Sequence, residues 1–223
     1  MKLRRVFREN SLSLVMFGLF VISLLGQTVT GFNAYNQEQK DHHQPEVTSG
    51  QYVKSGHFIE AVFENWESEF LQMSVYVLLT SFLYQKGSAE SKDPDKKDAV
   101  DEEPNESDFT DKTPWPVRQG GLSKTVYENS LSTALFLLFL ISFILHAIGG
   151  SIEYSEEQLA HGGKPVSAIE YVETSQFWFE SFQNWQSEFL SIGAVVVLSI
   201  FLRQKGSPES KPVGASNEET GKP

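Results

Sequence analysis

The heptad NWESEFL occupies Asn65 to Leu71, and NWQSEFL occupies Asn184 to Leu190. The two are offset by 184 − 65 = 119 residues, and each sets a carboxylate, Glu69 or Glu188, at the entrance of an apolar run. The same offset joins Glu9-Asn10-Ser11-Leu12-Ser13 to Glu128-Asn129-Ser130-Leu131-Ser132, and Lys86-Gly87-Ser88 to Lys205-Gly206-Ser207. About two residues in five are identical between the copies, so the heptad belongs to a tandem duplication of a unit of roughly 85 residues. The first copy fills 1–92 and the second 123–211. Between them, 93–122 is rich in Asp, Glu, Lys and Pro and poor in large aliphatics. Such a segment buries too little apolar surface to offset its ordering entropy, so it reads as an acidic, disordered linker. The tail at 212–223 reads the same way.

The chain has 223 residues, 18 Lys+Arg against 29 Asp+Glu, and a formal net charge of -11. Its mean hydropathy of -0.26 averages two unlike populations. Four stretches, 12–25, 70–83, 131–148 and 189–202, are strongly apolar, and the chain between them is polar and acidic. With no cysteine, a disulfide, a thiolate zinc site and a catalytic thiol are excluded.

A membrane-spanning helix needs about 20 mostly apolar residues. Segments 11–31 and 130–150 meet that without an internal charge. The runs at 70–83 and 189–202 are shorter, and span only if their helices begin earlier, near Phe63 and Phe182. That places the heptads at the interface, where Trp66 and Trp185 act as anchors because indole prefers the headgroup level. The first segment, behind MKLRRVFREN, also has the form of a secretory signal peptide. Its counterpart 130–150 lies mid-chain, where no signal peptide can be, so four retained helices are expected. Lys2, Arg4, Arg5 and Arg8 precede the first helix. Lys86, Lys92, Arg118 and Lys124 flank the linker, and Arg203, Lys205 and Lys211 follow the fourth helix. The two intervening loops carry only Lys40, Lys54 and Lys164. The positive-inside rule then puts both termini and the linker in the cytoplasm. Each copy has an even number of spans, so the copies run parallel rather than inverted. The expected architecture is all-α: a membrane four-helix bundle of two tandem, parallel two-helix repeats with amphipathic outer caps.

Positions identical in both copies mark shared faces. Glu9, Ser13, Phe17, Phe20, Ser23, Gly31, Tyr35, Glu38 and His42 fall in one stripe at about 100° per residue, and the stripe does not break at Gly31. One helix is therefore expected from about Asn10 to His43, roughly 50 Å long and standing out of a core of about 30 Å. Asn10 and Asn129 are candidate N-caps. Thr48-Ser49-Gly50-Gln51 and Ser167-Ala168-Ile169-Glu170 match the capping box, so short helices through Tyr52 and Tyr171 are expected. Asn65, Glu69, Gln72, Tyr76 and Thr80 form a polar stripe entering the bilayer, which should face protein.

Gln27, Asn65, Glu69, His146, Asn184 and Glu188 are the candidate polar site. They read as an intramembrane latch, in which each acid of the second helix bonds to Gln27 or His146 on its neighbour. Glu69 and Glu188 also carry the competing reading, a proton- or cation-binding pair in a small transporter or channel. The pairs Glu38…His42 and Glu157…His161 have i, i+4 spacing, but nothing nearby supplies a third ligand, so no metal is expected. P-loop, nucleophile-elbow and zincin motifs are absent, as is any basic aromatic patch for nucleic acid. No catalytic residue and no cofactor is expected. The partners implied are the lipid bilayer and a second copy in a homo-oligomer.

RENSLSLVMFGLFVISLLGQTVTG, YNQEQ, SGHFIEAVFENWESEFLQM and QKGSAESKDPD together resemble an uncharacterised family of small bacterial integral membrane proteins, known chiefly as a domain of unknown function. The resemblance implies a multi-pass protein of the bacterial plasma membrane. It implies no activity. The expected role is non-enzymatic, in the structure or assembly of the envelope.

Overall fold

The structure is a computed structural model that describes residues 2–221. Nine α-helices follow one another: α1 Lys2–Glu9, α2 Ser11–Asp41, α3 Ser49–Tyr52, α4 Gly56–Leu79, α5 Trp115–Gln119, α6 Gly121–Glu128, α7 Ser130–Ala160, α8 Ala168–Val172 and α9 Ser175–Phe201. Among the described residues there is no strand. Among the described residues three helices, α2, α7 and α9, are long and apolar enough to cross a membrane. Helix α4 is not among them, because Glu60, Glu64, Glu67 and Glu69 all fall within its first 14 residues.

Helix α2 runs unbroken through Gly31, as the shared stripe requires. The candidate caps Asn10 and Asn129 act differently from expectation. The chain is already helical before each of them, in α1 and α6, so their side-chain amides donate backwards, to Val6 O at 2.9 Å and to Thr125 O at 2.9 Å. Each Asn therefore marks the joint between two helices. Both capping boxes form. Gln51 N donates to Thr48 Oγ1 at 3.4 Å while Thr48 N donates to Gln51 Oε1 at 2.8 Å. Glu170 N donates to Ser167 Oγ at 3.3 Å while Ser167 N donates to Glu170 Oε2 at 2.7 Å. In each box two backbone N–H groups at the start of a short helix are held by side chains.

The chain divides into two units, Met1–Val62 with Leu145–Thr174, and Phe63–Ile144 with Ser175–Pro223. In the first, helices α4 and α7 cross with their backbones touching. A Cβ at Gly56 would stand 2.8 Å from Gly149 O, and one at Gly149 would stand 2.6 Å from Glu60 N. Only glycine permits that approach. Two tyrosines plug this unit in matching ways, Tyr52 over Gly31 and Tyr171 over Gly150. Both are buried. Asn36 holds Val47 by two hydrogen bonds, and Ser155 holds Val166 by two. Every one of these pairs is offset by 119 residues (171 − 52, 150 − 31, 155 − 36, 166 − 47).

In the second unit, Phe139 and Phe143 of α7 stack edge-on against Trp185 and Phe177 of α9, with ring centroids 6.5 and 5.1 Å apart. Ser74 of α4 donates to Ser132 O of α7 at 3.1 Å. Segment 93–122 holds two short 3-10 turns, Ala99–Asp101 and Glu106–Asp108, as well as α5. Segment 212–221 folds back beside the loop that follows α4, where Gly221 N donates to Ser88 O at 2.9 Å.

Candidate functional site

In the second unit the two heptads meet. The indole Nε1 of Trp185 donates to Glu67 Oε1 at 3.0 Å. Glu67 is completely buried, and Ser68 beside it nearly so. Asn65 and Glu69 lie on the exposed side of α4. Residues 67 and 69 are separated by about 200° around a helix, so burying one turns the other outward. Of the polar stripe expected on α4, Gln72 is buried and Tyr76 and Thr80 are half-buried. Tyr76 Oη donates to Glu90 Oε2 at 3.1 Å, which carries the stripe into the loop after α4. Glu188 is half-buried and lies within Coulombic reach of Glu69, so the repeated acids face each other's charge. Asn184 donates to Glu180 O at 3.2 Å, a bond along its own helix. Trp66 is half-buried against Phe63, ring centroids 5.1 Å apart.

In the first unit, Gln27 is exposed and donates to Ala61 O at 3.3 Å, which ties α2 to α4. His146 is completely buried. Its ring stands edge-on to Tyr171, centroids 6.4 Å apart, and a ring nitrogen lies within 4.8 Å of a Glu60 carboxylate oxygen. Tyr171 Oη donates to Glu60 Oε1 at 2.9 Å. Beyond Gly31, Tyr35 Oη donates to Glu156 Oε2 at 3.2 Å. The His57 backbone N–H donates to the Glu153 carboxylate, which Glu156, Glu38 and Glu157 surround with like charge. Tyr52 Oη and His57 Nδ1 stand 3.5 Å apart. Burial pushes the Tyr52 hydroxyl above its ordinary value, with the Glu153 charge adding to the effect. Burial holds the His57 imidazole below its ordinary value, and the Glu38 charge opposes that only in part. The second capping box has its own electrostatic mark. Hydrogen bonds from the Ser167 backbone and hydroxyl hold the Glu170 carboxyl below its ordinary value.

His161 turns its Nδ1 to the Glu157 backbone carbonyl at 2.9 Å, and His42 caps α2 with its backbone N–H on Glu38 O.

Residues 3–222 match the family described as Domain of unknown function (DUF6766). The chain belongs to that family. No curated protein and no solved structure matches it.

Two features of this DUF6766 chain lie outside what identity between the copies can point to. Glu67 corresponds to Gln186, so a search for shared residues passes over it, and His57 corresponds to Gln176 and reads from the sequence as solvated, whereas the structure half-buries it between Tyr35 and Tyr52. The signal available for Glu67 was its place inside the heptad, one residue from each of two invariant neighbours, Trp66 and Ser68. What this chemistry supports is hydrogen bonding and proton exchange, since carboxylates, phenols and imidazoles share bonds.

Proposed function

We propose that this protein is a multi-pass integral membrane protein of the bacterial plasma membrane that acts through packing and assembly in the envelope rather than by catalysis. The observation that carries the reading is where the apolar surface points. The most apolar 18-residue windows of α2 and α9 bury none of their residues inside the chain, and that of α7 buries 22%. Leu12, Phe17, Ile22, Leu25, Leu190 and Phe201 are all exposed. Water does not tolerate apolar patches of that extent on a monomer, and lipid does.

In this reading four helices, α2, α4, α7 and α9, cross the bilayer as two tandem, parallel hairpins. Segments 1–10, 93–122 and 202–223 lie on the cytoplasmic side, where lysine and arginine concentrate. Helix α4 enters through its apolar half and keeps its acidic half toward the outer cap. The contacts that recur at an offset of 119, at Tyr52/Tyr171 and Asn36/Ser155, support the duplication. Gln27 and His146 then serve as polar contacts between helices, Asn184 bonds along its own helix, and the exposed Asn65 and Glu69 lie on the side of α4 from which Glu69 reaches the charge of Glu188, with Trp66 and Trp185 at the interface.

A second reading, a small proton- or cation-conducting protein, is favoured by the mutual charge of Glu69 and Glu188. Reconstitution into liposomes separates the two. Proton and cation flux would be compared for wild type and the Glu69→Gln/Glu188→Gln double variant. The packing role expects leak-level flux in both. A wild-type flux that the double variant abolishes would overturn it in favour of conduction.

A further inference from the structure

Lys211 is 2% exposed, unusually buried for a lysine outside any helix. Its Nζ donates to four backbone carbonyls: Gly87 O at 2.6 Å, Glu219 O at 2.9 Å, Ser216 O at 3.0 Å and Asn217 O at 3.2 Å. One of these belongs to the loop after α4, and three belong to the segment that follows Lys211 itself. A buried ammonium is tolerated only when its donors are satisfied, and this ring of oxygens satisfies them.

Other contacts fasten the same two strands of chain together. Gly87 N donates to Thr220 Oγ1 at 2.8 Å, and Gly221 N to Ser88 O at 2.9 Å. Gly87 has φ 85°, and a Cβ there would stand 2.5 Å from Asn217 O, so the approach itself requires glycine. Arg203 Nη2 reaches Ala215 O at 3.1 Å and Asn217 Oδ1 at 3.1 Å. Beneath this layer the α4 loop is pressed onto α9. Ser88 Oγ and Ser199 Oγ are 2.9 Å apart, and Ala89 N donates to Ser199 Oγ at 3.2 Å. Ser88 and Ala89 are buried as a result. Gly221 also lines one edge of an open surface depression of about 590 Å³, with Tyr76, Thr80, Lys92 and Asp101.

The first copy of the loop ends in the same way. Lys92 Nζ donates to Ser81 O at 2.8 Å and to Asp101 Oδ1 at 2.6 Å, drawing in the segment that follows it. The repeated QKGS-x-ESK loop thus ends twice in a lysine that gathers an acidic stretch of chain. The first clasp is an ion pair between a largely covered Lys92 and an exposed Asp101, and the second is a buried carbonyl ring.

We propose that segment 212–221 is a strap, clamped by the Lys211 ammonium, that closes over the loop after α4. When the strap lifts, the Ser88–Ala89 loop becomes accessible, while the first unit stays folded. The strap is a conformational device at the end of the helix pair that carries the polar stripe.

The chain has no cysteine, so single-cysteine labelling tests this cleanly. Ala89→Cys would be made in the detergent-solubilised full-length protein, with Lys211 intact, with Lys211→Met, and with residues 212–223 deleted. Ala147→Cys, at a buried position of the first unit, reports global unfolding in the same three backgrounds. The expected result is slow maleimide reaction at Ala89→Cys with Lys211 intact, and a rise of about tenfold or more in both altered backgrounds, given the strength of bonds to a charged donor. Ala147→Cys stays slow throughout. Equal rates at Ala89→Cys in all three backgrounds would overturn the strap. So would acceleration at both positions, since Lys211 would then support the fold as a whole.

Discussion

The Trp185 indole bonds to the Glu67 carboxylate at 3.0 Å, so the second copy of the heptad donates to the first. Hydrogen bonds to a charged acceptor contribute about 1.5–3 kcal/mol, and more where the acceptor is shielded from water. Trp185→Phe and Glu67→Leu are each expected to destabilise the detergent-solubilised protein. The double variant should cost less than their sum by about 1–2 kcal/mol, because both singles remove one shared bond. Glu67→Gln keeps an acceptor and should fall between wild type and Glu67→Leu. Thermal unfolding of wild type and the four variants checks this, and strict additivity would contradict a shared bond.

Much of the frame is legible in the sequence, because it follows from short-range chemistry. The phase of the apolar stripe carries α2 through Gly31, and the boxes at Thr48 and Ser167 start α3 and α8. The buried acid is not legible in the same way. Comparison of the copies selects residues that do the same job twice, which points to Glu69 and Glu188. The Trp185–Glu67 bond joins unlike positions of the two copies, and such an asymmetric contact leaves no trace in their identities. Asn10 illustrates a different limit. Asn before an apolar run resembles a cap until the preceding residues prove helical, and then its amide donates backwards.

Gly31 and Gly150 hold equivalent tyrosines, but not in the same manner. A Cβ at Gly31 would meet Tyr52 Oη at 2.1 Å and Cζ at 3.1 Å. At Gly150 it would meet the ring itself, Tyr171 Cε1 at 2.3 Å. Alanine at an open helical glycine gains up to about 1 kcal/mol, whereas overpacking costs about 1–3 kcal/mol. Both Gly31→Ala and Gly150→Ala should therefore destabilise, while Gly18→Ala, with open space around it, should not. Tyr52→Phe should relieve part of the Gly31→Ala loss by removing the clashing hydroxyl. Tyr171→Phe should give Gly150→Ala no comparable relief. Melting temperatures of the three glycine variants, the two Tyr→Phe variants and the two corresponding double variants read this directly, and equal rescue at both sites would refute the difference in approach.

The proposed topology rests on the arrangement of basic residues. Ser107 lies in the acidic segment between the copies, and Ser167 begins the second capping box. If the first is cytoplasmic as proposed, Ser107→Cys should resist an impermeant thiol reagent in intact cells and react after lysis. Ser167→Cys should react in intact cells. The reverse pattern would invert the protein, and labelling of both in intact cells would remove one of the four proposed passes.

His57 gives the outer cap a pH dependence of defined sign. Its imidazole is held below the ordinary value of 6.5, first by burial, with the Glu38 charge opposing. The unfolded chain therefore binds this proton more readily than the folded one. Stability from this group is fully present above pH 6.5. It is lost as pH falls through the lower, folded-state value, where the cap must take up a buried charge or open. Tyr35 and Glu38 of α2, Tyr52 of α3 and Glu153 of α7 all face this region, so acidification also acts on carboxylates there. His57→Gln isolates the histidine, because glutamine stands at the matching position 176 and cannot titrate. Wild type should lose thermal stability between neutral pH and about pH 5, and His57→Gln should lose measurably less over the same range. Matching slopes for the two proteins would show that His57 protonates without cost, and would remove it as the source of any acid sensitivity in the cap.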